Sequence, residues 1–249
     1  MTPPLPARRR AQLLEILERD GGIQLEPAAE ELDVSAMTVR RDIQALDDEG
    51  LVRRVRGGAV APVLPRAFGE RAATRASAKA AIARKARTLV PDVGAAAFDA
   101  STTSGALLSV IRPERMLIAT NSIDNAALAR ARPGVRSVLV GGELESLTGS
   151  LVGPTAVQAA RGFVYDLFVT SASAVDAATG SMEVSLEEAA VKQAFVSKAS
   201  RTVLLADSSK VGQRAPAPAL DWSTIHVLVT DLDPTDERLD DFRSLVDIV

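Results

Sequence analysis

The chain has no cysteine and a single histidine, His226. The first absence removes disulfides, thiolate metal sites and Cys nucleophiles, and it fits a reducing cytosol. The second removes any multi-histidine metal site and any Ser-His-Asp triad away from His226, so neither metal nor cofactor is expected. Aromatic residues make up 3% of the chain, which argues against a stacking platform for single-stranded nucleic acid. Long hydrophobic runs are missing too. The longest charge-free stretch, Ser146–Ala160, contains Gly, Pro and hydroxyls and is shorter than the roughly 20 residues that span a bilayer. Arg8, Arg9 and Arg10 precede an apolar run, but Glu15, Glu18 and Asp20 interrupt it, unlike a signal peptide. A soluble, cytoplasmic protein is expected.

Basic charge is also scarce. The net charge is −3, and residues 1–58 hold nine arginines and no lysine against eleven acids. A nucleic-acid-binding domain is often strongly basic. Here the arginines cluster at 8–10, 40–41 and 53–56, with many acids at 26–33 and 47–49. Salt screens charges beyond about 8 Å, so local placement decides the field at a phosphate. What the chain does have is 249 residues at 47% hydrophobic content, enough for two domains and a sizeable core.

The stretch Ser35–Gly50, SAMTVRRDIQALDDEG, reads as one helix. Ser35 suits the N-cap and Gly50 the left-handed position that ends a helix. Val39, Ile43 and Leu46 form an apolar stripe, while Met37, Arg41, Gln44 and Asp48 fall opposite, flanked by Thr38 and Arg40. Alone, this is equally a solvated surface helix. Upstream, Leu25–Leu32 reads as a short helix and Asp33-Val34-Ser35 as the turn of a helix-turn-helix. Ala7–Arg19 is a supporting first helix, whose Arg8–Arg10 serve either a backbone phosphate or solubility. Downstream, Leu51–Val60 alternates apolar and Arg residues, as in a small hairpin closing on Gly57-Gly58. The run TVRRDIQALDDEGLVRRVRGGA resembles the signature of the DeoR family of winged-helix bacterial repressors. The resemblance implies DNA contacts from Ser35, Met37, Thr38, Arg40, Arg41 and Gln44, and from the wing residues Arg53, Arg54 and Arg56.

Ala61–Thr74 has two prolines, a glycine and no clear period, and reads as a linker. From Ala78 the texture becomes alternating strand and helix, which implies a doubly wound parallel sheet. The expected division is residues 1–60, a linker over 61–77, and an α/β domain over 78–249. Five strands end in clusters of Ser, Thr, Asn, Asp or Gly, and that edge of an open α/β sheet is where ligands bind. The cluster Asp99–Ser104 leads into a helix, where hydroxyls and successive N–H groups suit an anion, phosphate above all. Any one cluster alone reads more simply as a turn or an N-cap. Lys192 and Lys210 add cations, and Glu188 lies four residues before Lys192 on one helix face. His226 reads as a strand residue, and Trp222 and Tyr165 as packing.

The pattern DASTT…TNS…GGE…G153…EAAVK…DSSK is similar to the DeoR family's C-terminal sensor domain, whose fold is like that of ribose-5-phosphate isomerase. That likeness implies a phosphorylated sugar or polyol as effector. It implies ligand contacts from Asp99, Ser101, Thr102, Thr103 and Ser104, then Thr120, Asn121 and Ser122, then Gly141 and Gly142, with Glu188, Lys192, Asp207 and Lys210 completing the set. The anion is expected at Ser101–Ser104 beside Lys192 or Lys210, with Asp99 and Asn121 on sugar hydroxyls. One departure is Ser101, where many members have Gly, so that a side chain narrows the phosphate loop. The expected protein is a repressor, dimeric or tetrameric, that binds double-stranded operator DNA and is relieved by the effector. Two alternatives stay open: a sugar-phosphate isomerase with an added DNA-binding domain, and a constitutive DNA-binding protein with a degenerate sensor.

Overall fold

The computed structural model describes residues 6–20, 22–55, 57–60 and 67–249. Arg56 and the first six residues of the expected linker therefore lie outside the described residues. The chain divides into two compact units, Met1–Leu64 and Pro65–Val249.

In the first unit α1 (Pro6–Asp20) is followed by β1 (Gly22–Gln24), α2 (Leu25–Glu31), α3 (Ala36–Asp48), β2 (Arg53–Val55) and β3 (Gly58–Val60). Leu13, Ile16 and Leu17 of α1 pack with Val39, Ile43 and Leu46 of α3 in one core, as the spacing of both stripes requires. Ser35 caps α3 by accepting from the Thr38 N–H at 3.2 Å. Gly50 ends the helical segment at φ +72°, where the N–H of Leu51 returns to the Leu46 carbonyl at 2.9 Å. The expected wing is the β2–β3 hairpin. A third strand, β1, pairs antiparallel with β3, from Gly22↔Val60 to Gln24↔Gly58. The residues of β1 follow the expected first helix, Ala7–Arg19, and the sequence alone assigns them no element. Three residues carry no period, and only pairing with distant β3 makes them a strand.

The second unit opens with α4 (Phe68–Ala73) and α5 (Ala76–Ala86), then β4 (Val93–Phe98), α6 (Thr102–Val110), β5 (Arg115–Thr120), α7 (Ile123–Arg130) and β6 (Val135–Leu139). A hairpin of β7 (Glu143–Glu145) and β8 (Ser150–Val152) leads to α8 (Gly153–Ala160) and β9 (Leu167–Ser171). Next come β10 (Ala174–Asp176), β11 (Gly180–Glu183), α9 (Leu186–Val196), β12 (Thr202–Leu205), β13 (Ala217–Leu220), β14 (Val227–Val229) and β15 (Asp247–Ile248). Seven strands form a sheet in the order β15-β14-β12-β9-β4-β5-β6, and every neighbouring pair in it is parallel. Strand order reverses between β4 and β9, because the chain winds outward to β6 and then returns to the far side of β4. The expected doubly wound architecture is the one found. Both faces of the sheet are covered, one by a core built on Phe168, Phe195 and Leu204, the other by one built on Phe98, Leu107 and Ile82.

Three local readings need correction. Phe68–Ala73 is helical although it lies in the stretch read as a linker, and α5 begins at Ala76 rather than Ala78. The run Thr235–Ser244, whose sequence suggests a full helix, holds only a shorter 3-10 segment, Glu237–Phe242. The hairpin β7–β8 and the small antiparallel sheet β10-β11-β13 were not anticipated, since short strands among hydroxyls and glycines look like loops.

Candidate functional site

On the first unit, α3 buries Val39, Ile43 and Leu46 and presents Met37, 54% exposed, at its start. Arg40, Arg41, Arg53 and Arg54 are exposed, and Thr38 and Gln44 are half-buried. The wing touches this helix through side chains. Arg54 donates from Nη1 to the Gln44 Oε1, and Gln44 Nε2 donates to Asp48 Oδ1 at 2.7 Å. The Arg54 backbone N–H goes to Asp47 Oδ1 at 3.2 Å. Gln44 is thus held on both sides of its amide. Arg9, one of the arginines offered to a phosphate, is instead buried against Asp42 of α3, through Nε to Oδ2 and through Nη2 to Oδ1 at 3.1 Å. Arg10 pairs with Glu49 at 2.7 Å. Their role is to fasten α1 to α3.

On the second unit, the clusters after β12, β9, β4, β5 and β6 are neighbours at the C-terminal edge of the sheet. At the reversal point sits Asp99, 1% exposed. Its Oδ1 accepts from the Ser101 N–H at 3.1 Å and the Ser104 hydroxyl at 2.7 Å. Its Oδ2 accepts from Thr170 Oγ1, the Ser171 N–H and Lys192 Nζ, each at 2.8 Å. Burial alone would push this carboxyl up, but the Lys192 charge and these donors hold its pKa at about 2. Lys192 also donates to the Ser171 carbonyl at 2.6 Å and to Glu183 Oε1 at 2.5 Å, which uses all three of its protons. Burial opposes the charge on Lys192, yet Asp99 and Glu183 together raise its pKa. Two expectations therefore change. Asp99 has five donors on two oxygens and no capacity left for a sugar hydroxyl, and Lys192 has no donor left for an anion.

Other expected residues remain at the edge. Ser101 caps α6 by accepting from the Ser104 N–H at 3.1 Å, so its side chain is folded into the turn. The first-turn amides of Thr102 and Thr103 have no partner inside the helix. Thr120 and Ser122 are fully buried; Thr120 Oγ1 accepts from the Ser122 N–H, and Ser122 caps α7. Asn121 donates from Nδ2 to the Leu151 carbonyl at 3.2 Å, and its buried Oδ1 has no hydrogen-bond partner. Gly141 and Gly142 are exposed. Asp207 takes Ser209 and Arg75, and Lys210 is half-buried in the same loop. Glu188 accepts from the Ser150 hydroxyl at 3.2 Å. Burial and the nearby Glu183 charge raise its pKa, against the opposing pull of Lys192 and Arg71. Thr148, Ser150, Asn125 and Glu183 were missed by the sequence reading. Asn125 holds the loop through the carbonyls of Asp99 and Ser101, at 2.7 and 3.0 Å. Among the described residues no acid and histidine cluster suits a metal ion, and no helix is long and apolar enough to cross a membrane.

A helix-turn-helix with a three-stranded wing, joined in one chain to an α/β unit with polar loops at its sheet reversal, defines a transcriptional regulator with a sensor domain. The chain matches the DeoR-like helix-turn-helix domain over residues 9–63 and the DeoR C terminal sensor domain over residues 74–232. It belongs to the DeoR family. It is 32% identical to the HTH-type transcriptional regulator GlpR of Haloferax volcanii, over 91% of this chain and 90% of that protein. It is 27% identical to the glycerol-3-phosphate regulon repressor of Escherichia coli K12, over 91% of each. Among solved structures, ribose 5 phosphate isomerase A from Neisseria gonorrhoeae is similar at 20% identity and a TM-score of 0.34. That match covers 53% of this chain and 52% of that one, and a likeness so slight carries no functional argument.

Proposed function

We propose that this protein represses a carbohydrate-utilisation operon and leaves its operator when a phosphorylated polyol or sugar binds at the C-terminal edge of the seven-stranded sheet. The observation that carries the reading is the meeting of the α6 N-terminus, the Asn121 amide and the β7–β8 hairpin at the point where strand order reverses. Anions suit a helix N-terminus, and ligands suit that edge. Glycerol 3-phosphate is the first effector to try, from the name of a relative. Thr102, Thr103 and Asn121 are the ligand-facing groups, while Asp99 and Lys192 hold the loops in place. The protein acts in the cytoplasm, as a homodimer or homotetramer, and has no catalytic role.

On DNA, Met37, Arg41 and Gln44 face base edges, and Arg40, Arg53 and Arg54 face phosphates. A bidentate Arg–guanine or Gln–adenine pair is worth roughly 1–3 kcal/mol of discrimination. Arg41→Ala is expected to relax sequence preference, and Arg54→Ala to weaken specific and non-specific binding together. Because Arg54 also holds Gln44, its loss is expected to add a small change at the base Gln44 reads. Titrations of duplexes selected from a random pool by the wild-type protein test this. An equal drop on all sequences for both variants would refute the assignment. The effector is tested in the same titrations after a thermal-shift screen of phosphorylated compounds.

One second reading stands on Glu188, a carboxyl beside the sheet edge that accepts from the Ser150 hydroxyl and whose pKa is raised by burial and the Glu183 charge, since an isomerase needs a positioned acid or base. Interconversion of pentose or hexose phosphates by the purified protein would establish that reading, and its absence would remove it.

A further inference from the structure

Helices α8 and α9 lie over the core built on Phe168 and Leu204, and each leads into a strand of the parallel sheet, α8 into β9 and α9 into β12. Those two strands point the same way, so the two helices do as well. Their inner faces carry Ala156 and Ala160 on α8, and Ala189 and Phe195 on α9. Between their outer faces runs an open groove of about 530 Å³. Val157 and Ala190, both half-buried, line it with Pro154, Leu186, Arg161 and Glu187, all exposed. Leu186 is 70% exposed. A single exposed leucine needs no explanation. A leucine flanking a concave apolar strip is the mark of a contact surface.

The two ends of the groove carry opposite charges. Glu187 lies in the first turn of α9, and Arg161 stands just past the last turn of α8. With the helices running the same way, the acid marks one end and the base the other. Among the described residues neither of the two enters an ion pair. A twofold axis crossing the groove at right angles to the helices sets Glu187 of each copy against Arg161 of the other. An axis along the helices sets like charges together instead, which is repulsive. The surface thus complements itself in one orientation, as an interface between identical copies requires. The winged helix gives a separate reason for a second copy, since one alone contacts only a few base pairs.

We propose that two copies of this chain associate through the α8–α9 groove, with the helices of one antiparallel to those of the other. Each Leu186 enters the other copy's groove, and two Glu187–Arg161 pairs close its ends. The apolar strip supplies the attraction, while exposed ion pairs add little affinity and fix the orientation. This rests on the assembly expected of a repressor and goes beyond it by naming the surface that is covered. That surface is separate from the effector site, because Lys192 of the same helix turns inward to Asp99 and Glu183.

Sedimentation velocity over a concentration series tests this on the full-length protein. The samples are wild type, Glu187→Arg, Arg161→Glu, Leu186→Asp, the double charge swap, and an equal mixture of the two single charge variants. Each single variant is expected to raise the dissociation constant of this contact by about tenfold or more, leaving monomers from a dimer or dimers from a tetramer. The mixture and the double swap are expected to recover assembly, because both set opposite charges together again. Recovery in the mixture can come only from a contact between copies, and it is expected to fade at about 1 M salt. Leu186→Asp places an acid in a first helical turn, which favours the helix, and it decides the matter if a charge variant does not fold. Single variants that assemble as the wild type does would overturn the interface, leave the groove to another occupant and leave the repressor reading standing. Loss in the single variants without recovery in the mixture or the double swap would overturn the antiparallel pairing. A wild type that is monomeric at every concentration would overturn the expected assembly and this proposal with it.

Discussion

Single carboxyls in the second unit carry opposite relations to pH. Asp99 has its pKa lowered to about 2 from an ordinary 3.8, so its contribution to stability is complete above 3.8 and is lost as pH falls toward 2. Glu188 is raised. A raised carboxyl costs nothing while protonated, and it weakens the fold as pH climbs through the range where it ionises. Glu188→Gln is therefore expected to raise the melting temperature of the sensor unit at pH 7 and to leave it unchanged well below the ordinary value of 4.5. Scanning calorimetry of both proteins from pH 3.5 to about 7.5 checks this, and an equal shift at every pH would show that packing rather than charge governs the site. The roles of Asp99 and Lys192 could not be told apart from the sequence. Both residues are polar and close to the edge, but their partners Thr170, Ser171 and Glu183 come from other strands. Whether a charge faces a ligand or a neighbour is settled by those partners.

At the level of elements, the wing depends on one close approach. A Cβ on Gly58 would stand 1.8 Å from the Ile23 carbonyl oxygen, which belongs to backbone of β1, whereas a Cβ on Gly50 meets nothing within 4 Å. Gly50→Ala is expected to cost about 1 kcal/mol, from its left-handed φ alone. Gly58→Ala forces strands apart and is expected to cost roughly 1–3 kcal/mol, with a larger loss of DNA affinity. Denaturant melts and duplex titrations of the two variants give the order, and a reversed order would disprove the approach of β1 to β3. The same strand shows where sequence reading stops. Helices α3 and α9, with caps at Ser35 and Ser185, and the β-rich runs of the large sheet announce themselves through period and capping. Short strands such as β1, β7 and β8 exist only by pairing with segments far along the chain. Helix α4, six residues long, has too few turns to show a stripe, so Arg71 passed for part of a linker. The five polar strand ends were legible because topology alone brings them to one edge.

For the whole molecule, one winged helix contacts only a few base pairs, so useful specificity needs at least two copies on a repeated operator. A dimer or tetramer is expected in light scattering at micromolar concentration, with and without operator, and a monomer under both conditions would refute it. The network at Asp99 has a further consequence, in the order of folding. Strands β4, β5 and β6 and their helices follow one another along residues 93–139 and pair with near neighbours. The partners of Asp99 at Thr170 and Lys192 lie 71 and 93 residues further on. Contacts that distant form after the local ones, since loop closure precedes any return from them. Asp99 therefore waits, as an uncompensated carboxylate, for the second half of the sheet to arrive. Its ion pair closes late and acts on the lifetime of the native state rather than on the speed of reaching it.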